Sequence, residues 1–316
     1  MARPLRHMPY PHAVFEVTIR TIHGRFLLTP SKKLNSLILG VIGRAMSIWP
    51  EIRVYGFKVM SNHIHMYLSA PDIYILRKVM NHLDSNIARE AGRFHGWRDK
   101  FWSRRYKAAV ILDDKALLEK MHYMISHGCK ENLVTHPLDW PGVGCECALT
   151  KGEILKGIWY DRVAYYETAR KGKDCCLSDF ATEYEVPITP LPCFQGKPKE
   201  EVQKFYIDMI RDIASQTRQR IQDEKLRFVG VAGIMTQDPY DQPKDFKKSP
   251  APLCFAASRR KRREYINAYQ YFVYLYRQAA ERIRNGFTDV EFPDNCFPPP
   301  VLNQTFALAR SGAPPD

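Results

Sequence analysis

The stretch GFKVMSNHIHMYLSA, residues 56–70, predicts two β-strands joined by a tight turn at Ser61 and Asn62. Alternate residues of a strand point to the same face, so His63 and His65 lie on one side, about 7 Å apart along the chain. This spacing suits a shared metal ion, and it also suits two polar residues on the wet face of a sheet. On a central strand both side chains need partners, which favours the metal ion.

The surrounding sequence extends this hairpin into a larger fold. A strand is predicted from His12 to about Arg20, and Ser31 is a plausible N-cap for the helix that follows it. After the hairpin we expect a helix over about 71–92, a strand in RYKAAVIL, and a helix that is capped at Asp113 or Asp114 and ends near Gly128. This order predicts an α+β fold with a ferredoxin-like antiparallel sheet.

The chain divides into three expected parts. Residues 1–136 form the sheet domain, and residues 137–198 form a connector and packing segment interrupted by Gly, Pro and Cys. Residues 199–316 form a mainly helical, basic extension. Its two expected helices run from Lys199 to about Gln222, and from an N-cap at Ser258 to a C′ residue at Gly286.

The charge of the chain predicts a polyanionic partner. There are 47 Lys and Arg against 34 Asp and Glu, a formal net charge of +13. The N-terminus has no apolar core typical of a signal peptide, and no later run approaches the roughly 20 apolar residues of a spanning helix. We therefore expect a soluble, cytoplasmic protein with no membrane partner. The eight cysteines lack paired CxxC motifs, so free thiols are favoured over a structural metal site.

A candidate nucleophile lies in the helix KALLEKMHYMISHGCKENLV. Its apolar residues form one stripe that should pack on the sheet: Leu117, Leu118, Met121, Ile125 and Cys129. Tyr123 falls off this stripe, and His127 follows it by four residues, so the two project from the same side. If that side faces His63 and His65, a phenol and a third ligand reach the ion together. Tyr67 is a competing tyrosine, but the sheet leaves it little room to move.

The order of these motifs resembles the single-tyrosine HUH transposases, and among them the REP-associated tyrosine transposases. The resemblance rests on VMSNHIHMYL, on FWSRRYKAAVILDD, and on a tyrosine 60 residues after His63, and it covers about Pro11 to Trp159. The late stretch DPYDQPKDFKKSPAPLCFAASRRKRREY also resembles the tail of a bacterial subgroup.

The resemblance implies a fold, a reaction and a set of site residues. It makes 1–136 an HUH catalytic domain, with Tyr123 as nucleophile and His63 and His65 as metal ligands. His127 occupies the position where the family usually has Gln or Asn as a further ligand, and SHGCKENLV differs from the Asn-Pro-Val pattern common there. The implied cofactor is Mg²⁺ or Mn²⁺, and a third histidine favours manganese or a later transition metal.

The implied activity is cleavage and rejoining of single-stranded DNA beside hairpins that resemble repetitive extragenic palindromes. It passes through a 5′-phosphotyrosine intermediate and needs no ATP. Monomer and swapped homodimer both remain open.

Two basic groups are candidate DNA contacts. In the loop Arg93–Lys107, Arg98, Arg104, Arg105 and Lys107 can contact phosphates, and Trp97 or Trp102 can stack on a base. For Trp102 a place in the core is an equal alternative. In the late helix the first turn is crowded with positive charge that opposes the helix dipole, which favours DNA contact over a solvated face; these residues are Arg259, Arg260, Lys261, Arg262 and Arg263.

Two other functions fit the same residues. A domesticated DNA-hairpin-binding protein would keep the basic surfaces without cleaving DNA. A metal-dependent phosphohydrolase would use water in place of Tyr123 and form no covalent adduct.

Overall fold

The structure is a computed structural model that describes residues 5–243 and 252–299. Part of the late stretch that carries the second resemblance, residues 244–251, lies outside these ranges, as do residues 1–4 and 300–316 of the expected first and third parts. In the described part of the chain, no helix combines the length and the apolar character that crossing a membrane requires.

A five-stranded sheet forms the centre of the molecule. Its strands are β1 (Val14–Arg20), β2 (Arg53–Met60), β3 (His63–Ser69), β4 (Lys107–Ile111) and β7 (Cys254–Phe255), in the order β2-β3-β1-β4-β7. All pairs are antiparallel except the short pairing of β7 with β4. With the helices between them, β1 to β4 have the ferredoxin-like βαββαβ order, so the predicted fold class is confirmed.

Two capped helices lie between the first four strands, and a third follows β4. They are α1 (Lys32–Ile48), α2 (Ile73–His95) and α3 (Asp114–Lys130). The side chains of Ser31, Asp72 and Asp113 each accept a hydrogen bond from a backbone N–H of the first turn. α2 ends where Gly96 adopts a left-handed conformation, with φ of 69°. The caps predicted at Ser31 and Asp113 are confirmed.

The two faces of the sheet differ in chemistry. On β3, Ile64, Met66 and Leu68 belong to the apolar core shared with α1 and α2. The alternate residues His63, His65 and Tyr67 point to the opposite face, which α3 covers. The period of two thus brings the histidines under the helix that carries Tyr123.

The segment after α3 contains more regular structure than the sequence indicated. It has α4 (Glu146–Lys151), β5 (Leu155–Tyr160), α5 (Arg162–Arg170) and β6 (Ala181–Val186). β5 and β6 pair antiparallel and pack across α1. The approach is so close that a Cβ on Gly40 would lie 2.2 Å from the carbonyl oxygen of Ile158.

The last part of the described chain is mainly helical, as predicted. α6 (Lys199–Glu224) packs against α3 and α4, followed by the short α7 (Gly230–Met235). α8 (Arg259–Arg284) begins at the predicted cap Ser258 and buries Tyr265, Tyr269, Phe272 and Ala279. Gly286, with φ of 88°, occupies the predicted C′ position.

Candidate active site

Three histidines meet between the sheet and α3. His63 and His65 come from the start of β3, and His127 comes from the last turn of α3. One ring nitrogen of each lies within 4.8 Å of the others, a set that could hold a metal ion. His65 and His127 are buried and His63 is half-buried. The structure therefore brings together the three residues that the sequence proposed as ligands.

The histidine rings form a compact cluster. His63 Nε2 lies 3.1 Å from His127 Nε2, and the ring centroids are 4.9–5.0 Å apart. Burial, followed by the charges of His65 and His127, lowers the pKa of His63 well below its usual value. Burial, followed by His65 and Lys58, lowers the pKa of His127 to about 2. Neutral imidazoles have the free lone pair that metal coordination requires.

The outer nitrogens of the β3 histidines face acceptors. His63 Nδ1 lies 2.6 Å from the side-chain oxygen of Asn62, and His65 Nδ1 lies 3.6 Å from Glu16 Oε1. The first distance is a hydrogen bond, whereas the second is an electrostatic contact longer than a hydrogen bond. Both acceptors favour a proton on Nδ1, which leaves Nε2 free as the ligand atom.

Glu16, on β1, is the centre of a buried polar network under this cluster. Its Oε1 accepts a hydrogen bond from the Tyr67 hydroxyl at 3.0 Å, and its Oε2 lies 3.0 Å from Lys120 Nζ on α3. Burial raises the pKa of the Glu16 carboxyl, but His65 and Lys120 more than offset this, so it lies below its usual value. Burial and Glu16 raise the pKa of Tyr67 well above 10, which excludes Tyr67 as a ready nucleophile.

Tyr123, half-buried on α3, lies beside the histidines. Its ring centroid is 5.3 Å from that of His127 and 5.9 Å from that of His65. Burial, together with Glu131 and Glu16, raises its pKa, so the hydroxyl is protonated at neutral pH. Lys130 Nζ and Lys120 Nζ lie 4.8 and 5.2 Å from the centre of the ring. Two ammonium groups are therefore close enough to stabilise a negative charge near the ring.

A buried ion pair supports the helix that carries Tyr123 and His127. Lys58 on β2 is 0% exposed, and its Nζ lies 2.7 Å from Glu146 Oε1 on α4. The same Nζ donates a hydrogen bond to the carbonyl oxygen of Ile125 on α3, at 3.2 Å. This pair was not predicted from the sequence, although a lysine between Phe57 and Val59 in an apolar strand was a signal for it.

The first basic group lies at the histidine end of the sheet. Lys107 opens β4 and pairs with Thr18, which pairs on its other side with His65. Arg98, Arg104 and Arg105 are exposed. Trp102 is half-buried against the main core, and its indole N–H donates to the Asp84 carbonyl oxygen at 2.7 Å. These contacts hold the Trp102 ring against the core and limit its ability to stack on a DNA base.

The second basic group lies at the other end of the sheet. Asp113 Oδ2, after the last residue of β4, accepts hydrogen bonds from the backbone N–H groups of Ala257 and Ser258, just before α8. The five exposed basic residues of the first turn follow: Arg259, Arg260, Lys261, Arg262 and Arg263. At about 3.4 Å per residue, the five residues of β4 put about 17 Å between the two groups. The structure does not bring the second group to the histidines.

Comparisons with known proteins agree with the motifs. Residues 31–125 match the family model described as "Transposase IS200 like". This segment contains His63, His65 and Tyr123 and ends before His127. The predicted resemblance to the single-tyrosine transposases is therefore confirmed over this part of the chain.

A similar solved structure is described as "Structure of the REP associates tyrosine transposase bound to a REP hairpin". It is 12% identical in sequence, with a TM-score of 0.39, and the alignment covers 61% of this chain and 96% of that one. No curated protein matches the chain.

Proposed function

We propose that this protein is a metal-dependent transposase that cleaves and rejoins single-stranded DNA beside hairpins, through a covalent 5′-phosphotyrosine intermediate. The observation that carries the proposal is the convergence of three histidine ligand atoms within 4.8 Å, next to the ring of Tyr123. The proposed ligands are His63, His65 and His127, and Tyr123 is the proposed nucleophile. The protein would act in the cytoplasm as a monomer or homodimer.

The residues fit a divalent metal ion. The site offers three imidazoles, and two of them face acceptors that favour Nε2 as the ligand atom. An all-nitrogen set suits Mn²⁺ or a later transition metal better than Mg²⁺, which prefers oxygen ligands. When bound, the ion would supply Lewis-acid polarisation of the scissile phosphate.

The proposed reaction exchanges one phosphoester for another. The hydroxyl oxygen of Tyr123 attacks the phosphorus, the bond from phosphorus to the 3′ oxygen breaks, and the tyrosine proton is transferred to that oxygen. The products are a 5′-phosphotyrosine and a free 3′-hydroxyl. Lys120 and Lys130, close to the ring, would stabilise the negative charge that develops on the tyrosine oxygen. Reversal of the step joins a new strand.

The exposed basic groups are the proposed contacts to DNA phosphates. Arg98, Arg104, Arg105 and Lys107 would hold the strand near the histidines, with Trp102 at the base of this surface. The start of α8, Arg259–Arg263, would hold DNA further from the cleavage point, such as the stem of a hairpin.

Covalent capture tests the proposal. The protein is incubated with end-labelled single-stranded hairpin DNA from the flanks of its own gene, with Mn²⁺, Mg²⁺ or EDTA, and the products are run on a denaturing gel. We expect a metal-dependent protein–DNA band that Tyr123→Phe abolishes. The matched control is Tyr166→Phe, an exposed tyrosine on α5, which should keep the band.

The other two functions predict different gels. Tight binding with no covalent band under any metal would support the hairpin-binding protein. Cleaved DNA without a covalent band, with full activity in Tyr123→Phe, would support the phosphohydrolase. Either result contradicts the transposase mechanism.

A further inference from the structure

A cleft lies between α3 and α6, beside Tyr123. Its volume is about 660 Å³, within the range of roughly 300–1,000 Å³ typical of small-ligand sites. The α3 wall includes Leu118, His122, Tyr123 and Ser126, and the α6 wall includes Ile213 and Gln216. The cleft is thus large enough for a nucleotide.

Tyr123 belongs to both the cleft and the histidine site. Its ring lines the cleft and also contacts the rings of His65 and His127. A strand with its phosphate at Tyr123 would therefore have a neighbouring nucleotide at the cleft. The α6 wall lies beyond residue 125, where the family match ends.

The lining of the cleft suits a flat, anionic ligand. His122 and Tyr123 offer aromatic rings on one wall, and aliphatic side chains offer apolar contact. Lys130 and Arg220 bring positive charge, against the single carboxylate of Glu119. Arg220 Nη2 contacts the side chain of Asn132 and the carbonyl oxygen of Cys129, and these bonds leave its other nitrogens available to a phosphate.

We propose that the α3–α6 cleft binds a nucleotide of the single DNA strand next to the scissile phosphate. The base lies between the two helices, and its phosphate lies near Lys130 and Arg220. This inference rests on the proposed function, because single-stranded DNA is the substrate of that function. The cleft would make cleavage depend on the identity of the nucleotide beside the cut.

Filling the cleft tests the proposal by binding alone. Gln216→Trp puts a bulky ring on the α6 wall, and Ser215→Trp puts the same ring on an exposed position of α6 outside the lining. The probe is fluorescein-labelled hairpin DNA with a single-stranded flank, in EDTA so that no cleavage occurs. We expect Gln216→Trp to bind about tenfold more weakly than wild type, and Ser215→Trp to stay within about twofold. Equal affinity of the two variants would overturn the proposal.

An abasic scan locates the nucleotide. One abasic site is moved along the single-stranded flank, and we expect one position at which wild-type affinity falls about tenfold, with no such loss in Gln216→Trp. A wild-type profile without that position, or the same profile in Gln216→Trp, would overturn the proposal. A further outcome is that free deoxynucleoside monophosphates compete with the DNA while no abasic position lowers its affinity. That result would assign the cleft to a metabolite and would also overturn the proposal.

A charge variant tests the proposed phosphate contact without filling the cleft. Lys130→Gln should reduce the salt dependence of binding by about 0.7 in log–log slope, whereas Lys115→Gln, also exposed on α3, should not. An unchanged slope in Lys130→Gln would contradict the phosphate contact. These readouts need no chemistry, so a wild-type protein that forms no covalent band can still pass or fail them.

Discussion

Glu16 connects three elements at the residue scale. Its carboxylate lies between His65 and Tyr67 of β3 and Lys120 of α3. The sequence did not single it out, because its role depends on strand register: Glu16 pairs with Tyr67, next to His65 on the same face. The histidine pair and Tyr123, in contrast, were proposed from their positions in the sequence together with the resemblance of their order to the single-tyrosine transposases. Their convergence with His127 required only that α3 cover the correct face of the sheet.

The variant Glu16→Gln tests whether this network positions His65. The amide removes the negative charge that favours a proton on His65 Nδ1 and pairs with Lys120. We expect Mn²⁺ affinity, measured by titration calorimetry, to fall about 10- to 100-fold. Glu167→Gln, an exposed glutamate on α5, is the control and should bind Mn²⁺ as wild type does. Wild-type affinity in Glu16→Gln would show that the carboxylate does not act on the ligand.

At the scale of elements, helices with strong caps were predictable and the β5–β6 pair was not. Ser31, Asp113 and Ser258 each cap a helix as their local sequence predicts. β5 and β6 are separated by α5 and a 3₁₀ turn, so no short turn signal marks their pairing. They are also held by packing on α1, through Gly40, which is a long-range contact.

We expect the Lys58–Glu146 pair to contribute strongly to the stability with which α3 and α4 are held on the sheet. Lys58→Met leaves a buried carboxylate without a partner, so we expect a loss of about 3–5 kcal/mol in the free energy of unfolding, measured in urea. The double variant Lys58→Met/Glu146→Gln should regain part of it.

Lys156 provides the control for this pair. Its ion pairs with Glu183 and Glu185 are exposed and screened by solvent, so Lys156→Met should cost far less stability than Lys58→Met. A loss of similar size in Lys58→Met and Lys156→Met would contradict the account of the buried pair.

The docking of the β5–β6 pair should weaken in acid. His82 on α2 stacks on Trp159 of β5, with ring centroids 5.7 Å apart. Burial, followed by Arg44 and Arg89, lowers its pKa to about 4 in the folded protein. This folded-state pKa is below the ordinary value of about 6.5. The contribution of neutral His82 to the free energy of unfolding is therefore fully present above pH 6.5 and is lost as the pH falls towards 4.

Comparison with His82→Gln isolates this residue from the other histidines. Unfolding free energies are measured at pH 7.5 and pH 5 for both proteins. We expect wild type to lose more stability than the variant over this range. An equal loss would mean that His82 takes up no extra proton on unfolding.

At the scale of the whole molecule, nine of the 47 Lys and Arg residues form two separate basic groups. The net charge predicted a polyanionic partner, but it could not show that the groups lie at opposite ends of the sheet. That arrangement follows from the β4–β7 pairing and from the bonds of Asp113 to the segment before α8. These contacts join residues more than a hundred positions apart, so no local pattern reveals them.

The loop near the histidines should contribute most to binding of short single strands. Arg104→Gln/Arg105→Gln removes two phosphate contacts, so the salt dependence should fall by about 1.4 in log–log slope. Lys171→Gln/Lys173→Gln, which removes two exposed charges after α5, is the control and should leave the slope unchanged. Equal slopes for both double variants would mean that the loop contributes only to the overall positive charge and makes no specific phosphate contacts.

The central claim is that Tyr123 itself becomes joined to DNA. The direct measurement is mass spectrometry of the protein after reaction with single-stranded hairpin DNA and Mn²⁺, followed by nuclease and trypsin digestion. The account predicts a nucleotide attached through a phosphodiester to Tyr123 in the peptide spanning residues 121–130. A nucleotide found on another tyrosine, or cleaved DNA with every tyrosine unmodified, would contradict it.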